Sequence, residues 1–269
     1  MEPSLLPNER LDEVNESIRL IQKTDGLVFG TDALLLAAYI DRTFDHVCEI
    51  GTGCGIVSLL LLRRDKARRL TALEVQEAYA DLARRNAAYN GLSDRMEVVC
   101  EDVRTYARSG TERFDLVVAN PPYMKADSGR MCERTAKTLA RHEICGTIDE
   151  WCRAAARMLR YGGYFAVVYR PDRLTDLIAA LRESGLEPKR MTFVQADATS
   201  EPSMVLVLAK RGAASGVRLS RPLLLHTDDE HTAKTRELSY ILQHGRFPYD
   251  VFPEGKRTRK DVSDGNGKE

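Results

Sequence analysis

Short runs of β-branched and apolar residues alternate along this chain with longer stretches whose apolar positions recur every three or four residues. The first pattern predicts buried strands and the second amphipathic helices. After an irregular N-terminal segment, the pattern predicts a helix at 32–41, a strand at 45–50, a helix at 55–64, a strand at 69–74 and a helix at 76–90. Strands at 96–100 and 114–119 follow, then a helix at 148–159 with Trp151, Ala155 and Leu159 on one face. Tyr161-Gly162-Gly163 is expected to end that helix, because glycine accepts the left-handed backbone of a helix C-terminus. A strand at 164–169 and two more, at 192–195 and 204–209 around a hairpin loop, bring the strands to seven. The stretch from Asp228 to Gln243 reads as a helix with Leu238, Ile241 and Leu242 turned inward.

Such alternation implies an α/β fold: a doubly wound, mostly parallel seven-stranded sheet with a C-terminal antiparallel hairpin strand, helices on both faces, and ligands at the carboxyl ends of the strands. Residues 1–250 are expected to form one domain, with 1–44 as an N-terminal cap segment and 251–269 as a flexible polar tail carrying the basic run Lys256-Arg257-Thr258-Arg259-Lys260.

Composition fits one enzyme-sized domain, since 269 residues at 43% hydrophobic content can bury an ordinary core. Six cysteines, Cys48, Cys54, Cys100, Cys132, Cys145 and Cys152, show no C-x-x-C spacing and read as reduced thiols. No export signal opens the chain and no apolar run reaches membrane-spanning length, so a cytoplasmic protein without a membrane partner is expected. With 40 basic and 40 acidic residues, bulk charge does not advertise nucleic acid. Local charge is more informative: between Met124 and Arg141, the cations Lys125, Arg130, Arg134, Lys137 and Arg141 outnumber Asp127 and Glu133, a solvated helix face being the competing reading. Of these, Lys125, Arg130, Arg134 and Arg141 are the candidates for holding phosphates around a flipped base. The basic cluster from His46 through Arg63, Arg64, Lys66, Arg68 and Arg69 falls at the opposite end of the strands and reads as solubilising.

Chemistry concentrates at predicted strand ends. The strand Phe114–Ala119 runs into Asn120-Pro121-Pro122-Tyr123. An amine attached to a purine is a poor nucleophile because its lone pair is delocalised into the ring. The Asn120 side-chain oxygen and the Pro121 carbonyl can each accept one N–H and localise that pair, while Tyr123 stacks on the base. Prolines 121 and 122 restrict the backbone that presents those oxygens. Upstream, Glu49-Ile50-Gly51-Thr52-Gly53-Cys54-Gly55 carries a strand into a glycine turn where backbone can approach a ligand closely. Alternating glycines preceded by an acid suit a cationic ligand better than the pyrophosphate fingerprint does. Glu74 closes the next strand, about twenty residues past the loop, where a carboxylate can accept ribose hydroxyls. Asp102 closes the one after, placed to accept from an adenine amine.

These positions resemble the class I S-adenosylmethionine-dependent methyltransferases, and within them the amino-methylating group marked by Asn-Pro-Pro-Tyr. The segment Ile21 to Ala37, with Phe29-Gly30-Thr31-Asp32 at its centre, together with Ala140-Arg141-His142-Glu143-Ile144 and Tyr169-Arg170-Pro171-Asp172-Arg173-Leu174, is similar to the bacterial valine-tRNA (adenine-N6)-methyltransferases. That resemblance implies a Rossmann-like fold and S-adenosyl-L-methionine as cofactor, held by Gly51, Gly53, Gly55, Glu74 and Asp102, with Glu49, Thr52, Val75, Val103 and Asn120 beside them. It implies that Thr31 and Asp32 face the methionine end of the cofactor, and that Asn120 to Tyr123 hold the adenine. The competing reading of Thr31 or Asp32 is an N-cap for the helix that follows. The implied partner is RNA, tRNA foremost; no metal is called for, and a monomer is the expected state. A ribosomal-RNA adenine-N6 or guanine-N2 methyltransferase would use the same pocket, and so would a protein glutamine-N5 methyltransferase. A non-catalytic RNA-binding module with a vestigial pocket is the third alternative.

Overall fold

The structure is a computed structural model; it describes residues 5–24, 29–109, 113–121 and 146–248. The chain begins with a hairpin, β1 (Glu9–Asn15) and β2 (Ile18–Lys23), and continues through α1 (Thr31–Tyr39), β3 (Phe44–Ile50), α2 (Ile56–Arg63), β4 (Ala67–Glu74), α3 (Glu77–Tyr89) and β5 (Met96–Cys100). Then come α4 (Val103–Ser109), β6 (Phe114–Ala119), α5 (Ile148–Met158), β7 (Leu159–Tyr169), α6 (Leu174–Glu183), β8 (Leu186–Gln195), β9 (Pro202–Arg211), the short β10 (Arg218–Leu219) and β11 (Leu223–Leu224), and α7 (Arg236–His244).

The main sheet has nine strands, ordered β10-β8-β9-β7-β6-β3-β4-β5, with β11 also on β8. Strands β3 to β7 pair in parallel, and β9 lies antiparallel between β7 and β8. Strand order reverses between β3 and β6, which opens a crevice at their carboxyl ends. Side chains alternate across the sheet: Leu116 and Val118 join a core with α1, α2, α3 and α7, while Val117 and Ala119 join the other with α4, α5 and α6. Two buried layers therefore clamp the strands on which the crevice sits.

Beyond the two-residue strands β10 and β11, too short for a pattern to announce, which raise the sheet from the expected seven strands to nine, three expectations change. The N-terminal segment is a hairpin, not irregular chain, because β1 is only half-buried and so lacks an apolar alternation to announce it. Strand β2 buries Ile18, Leu20 and Ile21 in the core, and a polar tie is added: Asn86 on α3, fully buried, accepts from Ile21 N (2.7 Å) and donates to Ile21 O (3.0 Å). Second, Tyr161-Gly162-Gly163 is no helix terminus. The helix stops at Met158, Leu159 is already extended and pairs with Phe114, and the glycines sit in β7 where the β6–β7 register shifts, as at a bulge. Third, only Arg236–His244 of the C-terminal stretch is helical, started by the Thr235 side chain, which accepts from Leu238 N at 3.1 Å. Asp228 instead folds a turn by accepting from Thr232 N (2.8 Å) and Ala233 N (3.1 Å). Leu238 and Ile241 are buried as expected, and Leu242 packs against them partly buried. The tail expectation for 251–269 lies outside the described residues.

Candidate active site

Register places the expected residues side by side. Ile50 pairs with Ala119 and with Leu73, and Glu74 pairs with Cys100, so Gly51, Glu74, Asp102 and Asn120 all leave the carboxyl ends of four consecutive strands. Gly51, Gly53 and Gly55 have φ of +66°, +56° and +88°, backbone that only glycine adopts cheaply. At Gly51 a Cβ would lie 2.8 Å from Cη2 of Trp151 on α5, whereas at Gly53 it would meet nothing within 4 Å. The middle of the loop is thus open for close approach of a ligand.

Two carboxylates hold the loop in different ways. Glu49 reaches it from beneath, accepting from Thr52 Oγ1 (2.6 Å), from Ser58 N (3.0 Å) and from the Ser58 hydroxyl. Burial pushes its pKa up to about 7 against the pull of those donors. With 2% exposure, Glu49 braces the turn from within the core. Glu74 stands beside the loop and accepts from Gly53 N through Oε2 (2.9 Å) and from Gln76 N through Oε1 (3.0 Å). Each oxygen keeps a further lone pair, so two ribose hydroxyls can still be accepted. Val75, exposed next to Glu74, offers an apolar flank for a ring.

Asp102 meets a competitor. Its oxygens accept from Arg104 N (2.7 Å) and from Arg104 Nε at 2.9 and 3.0 Å, and the guanidinium holds the carboxyl below the usual carboxylate range. An adenine amine reaching Asp102 would displace part of that clamp. Val103, the first residue of α4, is buried in the core under this corner.

The turn ahead of α1 carries an unexpected link. Gly30 is the N-cap, so neither Thr31 nor Asp32 caps the helix. The Asp32 carboxylate instead accepts from Asn120 Nδ2 at 3.1 Å. A carboxylate can only accept, which fixes the amide orientation: Nδ2 toward Asp32, Oδ1 away from it. That Oδ1 is buried and has no hydrogen-bond partner among the described residues. A buried acceptor without a donor is costly in isolation, at about 1–3 kcal/mol, and fits a site completed by a bound N–H. Pro121 follows directly, while Pro122, Tyr123, Lys125, Arg130, Arg134 and Arg141 lie outside the described residues.

Sequence reasoning missed Asn86, which also donates to Cys54 O at 2.9 Å and so ties the N-terminal hairpin to the glycine loop through α3. Its signal was present as the one amide on the buried stripe Ala80, Ala83, Asn86, Ala87. Ser58, a hydroxyl inside Ile56-Val57-Ser58-Leu59-Leu60, was legible in the same way.

Residues 24–181 match the methyltransferase small domain. A protein named tRNA1(Val) (adenine(37)-N6)-methyltransferase from Phocaeicola vulgatus is 33% identical over 182 residues, 67% of this chain and 76% of the relative. One of the same name from Dickeya chrysanthemi is 31% identical over 207 residues, 75% and 81% of the two chains. Among solved structures, a predicted O-methyltransferase from Agrobacterium tumefaciens superposes with a TM-score of 0.65 at 23% identity, covering 81% of this chain and 98% of its own. Fold and site together define a Rossmann-like methyltransferase that uses S-adenosylmethionine. More narrowly, the chain belongs to the methyltransferase small-domain family that includes these tRNA1(Val) (adenine(37)-N6)-methyltransferases.

Proposed function

We propose that this enzyme methylates the exocyclic N6 of an adenine in tRNA, the adenine beside the anticodon of a valine tRNA. The observation that carries the reading is Asn120 Oδ1, buried, unpartnered among the described residues, and turned away from Asp32 at the strand end next to the glycine loop. The names of the relatives supply the substrate class. Gly51 to Gly55, Glu74 and Asp102 would hold S-adenosylmethionine, whose sulfonium supplies an electrophilic methyl group. Asn120 Oδ1 and the Pro121 carbonyl accept the two amine protons and localise the nitrogen lone pair, and Tyr123 stacks on the base. Alignment of the two reacting atoms is the leading contribution, of the order of 7–11 kcal/mol. No strong base is required, because the amine proton becomes acidic once the nitrogen carries positive charge. On this reading the enzyme works in the cytoplasm as a monomer, and Lys125, Arg130, Arg134 and Arg141 contact the RNA.

Incubation with labelled methyl donor and separate pools of tRNA, ribosomal RNA and protein, followed by nucleoside analysis, tests the proposal. Label should enter tRNA as N6-methyladenosine and vanish when the adenine beside the valine anticodon is replaced by guanine. Label in ribosomal RNA or in protein glutamine would replace this reading with one of its alternatives.

A further inference from the structure

A cleft of about 310 Å³ runs between α4 and α5, and four arginines line it: Arg104 and Arg108 from one helix, Arg153 and Arg157 from the other. Each pair is spaced i, i+4, the arrangement in which like charges destabilise a helix. Two such pairs facing one cleft are not what a solvated helix face selects. On other helices several arginines are answered: Arg84 by Glu77, Arg85 by Glu9, Arg173 by Asp176 and Arg182 by Glu187. Here Glu150 is the single lining carboxylate, and it is taken by Arg104 at 3.3 Å. Arg108, Arg153 and Arg157 are exposed and make no ion pair among the described residues. Ala107 and Ala154 keep the floor shallow, so an extended anion can lie against all three guanidiniums. Position adds the second argument. Arg104 holds Asp102 with one edge and Glu150 with the other, so the cleft starts where the cofactor crevice ends.

We propose that this cleft is a docking groove for the phosphodiester backbone of the RNA substrate, with Arg108, Arg153 and Arg157 as its phosphate contacts. The proposal rests on the RNA reading of the preceding subsection and adds to it a surface beyond the Asp102 end of the cofactor crevice. Because the charge is contributed by two helices far apart in sequence within a chain of net charge zero, it is invisible to composition and local charge counts. Phosphate contacts of this kind give affinity without sequence selection and make binding salt-dependent.

The test compares wild type, the triple variant R108Q/R153Q/R157Q and a control R68Q/R69Q, which removes two exposed arginines at the far end of β4. Binding of a valine tRNA transcript is measured by anisotropy across a salt series, alongside calorimetry with a non-reactive cofactor analogue and steady-state methylation. The triple variant should bind tRNA ten- to a hundredfold more weakly at 0.1 M salt, with the log–log salt slope shallower by about 2–3, one contact being about 0.7–0.9. Its analogue affinity and kcat should match wild type while KM for tRNA rises. Wild-type tRNA affinity and slope in the triple variant, or an equal loss in the control, would overturn the groove. A wild type that methylates no RNA would instead overturn the RNA reading, and the groove with it.

Discussion

Asn120 shows how one hydrogen bond can orient an amide at the proposed site. An asparagine amide is ambiguous by itself, since oxygen and nitrogen exchange places by a half-turn. The Asp32 acceptor removes the ambiguity, because a donor must face it. The site then needs Asp32 for orientation even where Asp32 touches no substrate atom. Asn120→Ala should keep cofactor-analogue affinity within a few-fold and lose turnover by about 10²–10³, the range for removing one preorganised group at a reacting centre. Asp32→Asn is the sharper variant: its amide can present either an acceptor or a donor to Asn120, so the orientation becomes a mixture. Single-turnover methylation at saturating tRNA should slow about tenfold, roughly 1.4 kcal/mol. Unchanged single-turnover rates in Asp32→Asn would show that the amide is oriented by something other than the carboxylate.

Elements were legible to the degree that their burial followed a simple period. The strands β3 to β6 each carry a short apolar core and fall within two residues of their expected bounds, as do α2 and α3. Elements with a partial apolar signal were not legible: β1 is only half-buried, and α4 begins with Asp102 accepting from Arg104 N rather than with an apolar stripe. Of the site, the strand-end acids and the glycine turn were readable because strand ends converge in a parallel sheet, but the partners of each acid were not, since Arg104 and Ser58 are chosen by packing. Helix α5 adds a link no spacing announces. Its Trp151, 4% exposed and the only tryptophan of the chain, lies under Gly51. Excitation of that indole should therefore report on the loop, and a titration with S-adenosylhomocysteine should shift or quench its emission. Gly51→Ala would drive a Cβ toward the ring at 2.8 Å on a φ of +66° and should cost at least about 1 kcal/mol in stability as well as most of the cofactor affinity. A Gly51→Ala protein with native Tm and native analogue affinity would contradict the packing described for the loop.

At the scale of the whole molecule, the loop's support places an acid in the core, and that has a consequence for stability. Glu49 titrates near 7 when folded and near 4.5 otherwise, so between these values the folded state holds a proton that the unfolded state has released. Stability must then fall as pH rises from about 4.5 to 7, by an amount on the order of 3 kcal/mol from this group. Other carboxylates oppose it. Glu9, paired with Arg85, and Asp102, paired with Arg104, have lowered values and strengthen the fold as pH rises through the acid range. Only the difference between variant and wild type isolates Glu49. Glu49→Gln retains an acceptor for Thr52 and Ser58 while removing the titration. In urea unfolding at pH 5 and pH 8, the variant should be less stable than wild type at pH 5, where the native acid is protonated and satisfied, and should close or reverse that gap at pH 8. A gap that is the same at both pH values would mean that Glu49 is ionised throughout, and that the three donors around it outweigh its burial.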